Sequence, residues 1–82
     1  MRYRLIIMEK AREQLRALPK DLRRNVGLRL DLLQENLQGD VKKLEAQTAK
    51  WRLRVGSIRV LFTLAGGEIF VYAVKNRRDA YE

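Results

Sequence analysis

The chain has no cysteine and no histidine. The first absence excludes a disulfide framework and any thiolate metal site, and the second removes the commonest proton shuttle and metal ligand. Any catalysis must therefore run on other groups, and no cofactor is expected. Proline occurs once, and aromatic residues make up only 7% of the chain. No apolar run approaches the ~20 residues of a membrane span. The stretch Leu5 to Met8 is far too short for a signal-peptide core, and Arg2 and Arg4 interrupt its approach, so the reading is a cytoplasmic protein without a membrane partner. Acidic residues are also scarce, with ten Asp and Glu against eighteen Lys and Arg, for a net charge of +8.

What is present suits one small folded domain, residues 1 to 82. An apolar fraction of 46% is too high for a disordered chain, while 34% charged residues implies a heavily solvated exterior. A chain of this length buries about 60% of its unfolded surface on folding, so stability is modest. The excess of positive charge creates a field that concentrates polyanions or acidic proteins near the surface.

Residues 3 to 8, "YRLIIM", are aromatic and β-branched and too short for a helix, which predicts a first strand. Ala11, Leu15 and Leu18 then fall on one helical face, and Pro19 stops that helix. A second helix begins near Lys20 or Asp21. Leu22, Val26, Leu30, Leu33 and Leu37 repeat at spacings of four and three, Leu28 and Leu32 widen the apolar face, and the helix is expected to end before Gly39. Residues 38 to 49 lack clean periodicity and read as a loop, with Val41 and Leu44 as anchors and Lys42 and Lys43 outward. Three strand signals follow, Trp51 to Val55, Ile58 to Leu64 and Ile69 to Val74, separated by the turns "GS" and "AGGE". The expected fold is α+β in two layers, ordered β-α-α-β-β-β, a mostly antiparallel four-stranded sheet with a helical hairpin on one face.

A two-residue turn at Gly56 and Ser57 pairs Val55 with Ile58, Arg54 with Arg59, Leu53 with Val60 and Arg52 with Leu61. The period of two puts Trp51, Leu53, Val55, Ile58, Val60, Phe62 and Leu64 on the core side, and Arg52, Arg54 and Arg59 opposite. With Gly66 and Gly67 turning the chain, Ile69, Val71 and Ala73 are expected on the core side. Phe70, Tyr72 and Val74 then join the arginines, with Val74 opposite Arg59. Like charges facing each other cost a few tenths to about 1 kcal/mol unless an anion lies between them. Three arginines interleaved with Leu61, Phe70 and Tyr72 can contact phosphate and stack on bases together, whereas a single arginine there reads as a long stem lying on the sheet. The terminal "VKNRRDAYE" adds Lys75, Arg77, Arg78 and Tyr81 near the exit of the last strand.

These features together resemble the RelE group of the RelE/ParE toxin superfamily. The resemblance covers nearly the whole chain and is carried by the helical hairpin, by "VKKLEAQTAKWRLRVGSIRVLF" and by "VKNRRDAYE". It implies the toxin half of a toxin–antitoxin pair, an endoribonuclease that cuts messenger RNA in the ribosomal A site and so inhibits translation. The matching catalytic positions are Arg52, Arg54, Arg59, Arg77 and Tyr81, with Lys50, Lys75 and Arg78 as RNA-binding neighbours. Arg52 stands where the best-known member has a lysine proposed as general base, and Asn76 stands where many relatives carry histidine. An arginine, with a pKa above about 12, almost never gives up its proton.

The resemblance also implies an acidic antitoxin, partly disordered when free, through which promoter DNA is contacted. Exposed Leu61, Phe70 and Tyr72 and the apolar excess of Leu28 and Leu32 are suited to such a cover. Two other readings stay open at this point. One is a ParE-like gyrase inhibitor without nuclease activity, the other a non-catalytic RNA-binding module.

Overall fold

A computed structural model describes residues 2–44 and 50–76. The described elements run β1 (Arg4–Ile7), α1 (Glu9–Arg16), α2 (Lys20–Leu33), β2 (Asp40–Lys43), β3 (Lys50–Val55), β4 (Ile58–Ala65) and β5 (Glu68–Asn76). The sheet has five strands in the order β1-β5-β4-β3-β2, antiparallel except where β1 lies parallel to β5. The α+β class, the helical hairpin and its position on one sheet face are as expected from the sequence.

The fifth strand is a correction. Residues 40 to 43, read as loop, pair antiparallel with β3, Asp40 opposite Arg54 and Lys43 opposite Trp51. Four residues with a single apolar side chain turned to the core carry too little alternation to register as a strand; the neighbouring edge of β3 makes it one. Val41 packs on the core as an anchor, but Leu44 is exposed.

Helix α2 ends at Leu33, a turn earlier than its apolar repeat suggests. Asn36 and Leu37 take left-handed conformations (φ 60° and 58°), and the Leu37 N–H returns to the Leu33 carbonyl at 3.0 Å. The chain thereby leaves the helix while Leu37 still reaches the core. Gly39 follows at φ 129°, and a Cβ there would lie 2.9 Å from Leu53 Cδ1. Glycine is needed at that position because β2 enters directly over a buried leucine.

The core is the helix-facing side of the sheet. Leu53, Ile58, Val60, Phe62, Ile69 and Val71 meet Ala11, Val26, Leu30 and Leu33, all fully or almost fully buried. Trp51 stacks on Phe62 with ring centroids 6.4 Å apart. The Gly56–Ser57 turn places Gly56 at φ 59° and leaves Ser57 at negative φ, as a type II′ hairpin requires.

One register differs from expectation. Phe62 pairs with Val71, but Leu61 pairs with Ala73, so β5 carries one extra residue, Tyr72. This bulge reverses the faces beyond it: Val74 joins the core opposite Val60, Ala73 goes to the other side with Leu61, and Arg59 faces Lys75 rather than Val74. Strand β1 stops at Ile7, and among the described residues the outer side of β5 has no strand neighbour past Val71. There the Val74 N–H donates to Gln14 Oε1 at 2.7 Å, tying α1 to the end of β5.

Candidate nucleic-acid interface

The sheet face away from the helices is built in rows by the strand registers. Asp40, Arg54, Arg59 and Lys75 stand side by side across β2, β3, β4 and β5. The next row is Lys42, Arg52, Leu61 and Ala73, and beyond it lie Lys50, Thr63 and Phe70. Five of the sequence-derived positions, Lys50, Arg52, Arg54, Arg59 and Lys75, are thus brought onto one surface. Arg77, Arg78 and Tyr81 lie outside the described residues.

The opposed pair Arg54 and Arg59 is present, and the bulge adds Lys75 as a third cation in the same row. Sequence reasoning missed the group that answers this charge. Asp40 Oδ2 sits 2.7 Å from Arg54 Nε, and Asp40 Oδ1 lies 3.9 Å from Arg52 Nη2. The carboxylate therefore bridges toward both arginines of β3. Its signal was the β2 strand itself: once Val41 is placed inward against Leu53, period two puts Asp40 beside Arg54.

The three arginines differ in environment. Arg54 is exposed, its side chain 54% accessible, while the Arg52 side chain is only 15% accessible, lying along the sheet. Arg59 is 3% exposed and is the one buried polar or charged residue among those described. Its Nη1 donates to the Gly56 carbonyl at 3.2 Å and to the Ile58 carbonyl at 3.4 Å, so the guanidinium folds back on its own turn. Its Nε is buried with no hydrogen-bond partner among the described residues. A buried donor left unsatisfied costs stability of the order of 1–3 kcal/mol, and more when it is charged. An anionic oxygen is the acceptor that relieves it best.

Half-buried Phe70 and Tyr72 accompany the cations on β5. Burial raises the Tyr72 phenol above its ordinary value of 10.0, so it is a neutral ring at physiological pH. Guanidinium groups and aromatic rings sharing an open sheet face can hold phosphate and base together, and among the described residues no pocket encloses a small molecule.

No family model matches the sequence, and no curated protein does. Solved structures do. RelE in the RelE–RelB complex of the archaeon Pyrococcus horikoshii OT3 is 28% identical over 98% of this chain and 100% of that one, with a TM-score of 0.79. The RelB–RelE antitoxin–toxin complex of Methanococcus jannaschii matches at 24% identity and TM-score 0.78, over 93% of this chain and 94% of that chain. A free-state arginine double mutant of the Escherichia coli toxin RelE matches at 21% and TM-score 0.81, over 99% and 88%. Matches that run the length of the chain place it in the RelE/ParE superfamily. Its fold is RelE-like, the fold of the toxins in those antitoxin–toxin complexes.

Proposed function

We propose that this protein is an endoribonuclease, the toxin of a toxin–antitoxin pair, which cuts messenger RNA in the ribosomal A site and so halts translation. The observation that carries the reading is the row Arg54, Arg59 and Lys75, with one buried guanidinium nitrogen left without an acceptor. A scissile phosphodiester supplies that acceptor. RNA brings its own nucleophile: the 2′-oxygen bonds to phosphorus while the bond to the 5′-oxygen breaks. The protein then has chiefly to orient the strand and stabilise charge on the phosphorane-like transition state.

In this scheme Arg59 swings from the Gly56 and Ile58 carbonyls onto a non-bridging oxygen, Arg54 supports it, and Arg52 positions the phosphate. Arg77 assists the leaving 5′-oxygen, and Tyr81 stacks on the base beside the cut. Lys50, Lys75 and Arg78 hold the flanking backbone. The partner is an acidic antitoxin that folds over the toxin; the Pyrococcus and Methanococcus relatives were solved with RelB antitoxin. Promoter DNA is met through that antitoxin.

Mapping transcript 5′ ends after induction in cells tests the reading. New ends inside codons under translation are expected. DNA breaks with intact messages would overturn it in favour of a gyrase poison, and RNA binding without any new ends would leave only a binding module.

A further inference from the structure

We infer that Asp40 is an internal counter-ion, a carboxylate that holds the phosphate position on Arg54 until a nucleic-acid phosphate displaces it. The inference rests on the RNA-binding reading of the open face. Its basis is the geometry of β2. Asp40 is the first residue of that strand, pinned opposite Arg54 by the register and by the tight passage of Gly39 over Leu53. Its two oxygens are directed at the two arginines of β3, one at 2.7 Å from Nε and the other at 3.9 Å from Nη2. A carboxylate and a phosphate offer a guanidinium the same pair of acceptor oxygens, so they compete for it.

Asp40 is also placed where it leaves the rest of the row uncompensated. It lies at the β2 end, with Arg54 between it and Arg59, and it makes no ion pair with Arg59 or Lys75. A phosphate approaching the row therefore meets one cation, Arg54, whose carboxylate must be exchanged, and two, Lys75 and Arg59, that no carboxylate neutralises, Arg59 being held by the Gly56 and Ile58 carbonyls. The contact is solvent-accessible, with 47% of the Asp40 side chain exposed, so exchange needs no rearrangement of the core. The consequence is selectivity by charge density: an isolated anion gains little by replacing the carboxylate, whereas a polyphosphate strand that engages Arg59 and Lys75 at the same time does. The same device lowers the affinity of this face for unrelated polyanions, which a chain of net charge +8 would otherwise collect.

The test is binding of a single-stranded 2′-O-methyl RNA, which cannot be cleaved, to the wild type, Asp40→Asn and Asp40→Glu across a salt series. Asp40→Asn is expected to bind more tightly at low salt. Its dependence of log affinity on log salt should be steeper by about 0.7, the increment for one added phosphate contact on a single strand. The advantage then shrinks about 2.5-fold between 50 and 200 mM salt. Asp40→Glu should retain the wild-type slope. Equal or weaker binding by Asp40→Asn at an unchanged slope, with its melting temperature preserved, overturns the counter-ion. So does loss of cleavage without a change in binding, which would make Asp40 a proton acceptor instead. A wild type that fails to retain the oligonucleotide at low salt removes the RNA reading itself and this inference with it; a binding wild type with an indifferent variant removes only the inference.

Discussion

The two faces of one sheet are made by the same strands and obey opposite rules. On the helix side, β4 contributes Ile58, Val60 and Phe62, all without accessible surface and all part of one apolar core cluster. On the open side the same strand contributes Arg59, equally buried, with an unsatisfied Nε and like charges on both flanks. A face selected only for stability would not carry that residue. The difference separates the side of the sheet that holds the fold together from the side that the proposed function assigns to RNA, where an unsatisfied charge is kept at a cost to stability.

The largest effect is expected from breaking the apolar face. Phe62→Ala removes a fully buried ring that stacks on Trp51 and should destabilise by about 3–5 kcal/mol in a denaturant titration. On the open face the outcome should invert. Arg59→Met keeps the volume and removes the unpaired charge, so the melting temperature should hold or rise while RNA cleavage falls by about 10²–10³-fold. A large loss of stability in this variant would mean that Arg59 belongs to the core after all. At the join between the faces, Gly39→Ala combines a positive φ with a clash against Leu53, and should destabilise by about 1–3 kcal/mol in a denaturant titration.

The smallest effect concerns Tyr72. Its raised pKa means that folding favours the neutral phenol. That contribution is fully present below the unfolded value of 10.0 and is lost as pH rises through the higher folded value. Thermal melts above pH 10 should therefore show a decline that Tyr72→Phe flattens.

Local sequence carried the helices, the Gly56–Ser57 hairpin and the separation of Leu53 and Val60 from Arg54 and Arg59, because period two and period 3.6 are imposed by the backbone over a few neighbours. Two features were not legible that way. The β2 strand exists because the edge of β3 recruits four residues of weak pattern. The Tyr72 bulge is a matter of how β5 lies between β4 and β1, and it changed Arg59's partner from Val74 to Lys75. The candidate site was legible in its arginines and not in Asp40, whose place depends on that recruited edge.

By itself, then, the sequence determined a basic, thiol-free and imidazole-free domain, its helical hairpin, and the clustering of Arg52, Arg54 and Arg59 on one side of a hairpin. Composition and short-range periodicity are enough for these. Only the tertiary structure decided which charges meet across strands distant in sequence: the row from Asp40 to Lys75, the burial of Arg59, and the carboxylate standing at Arg54. Long-range pairing is settled by how whole strands dock, and a single extra residue in one of them exchanges its inward and outward side chains.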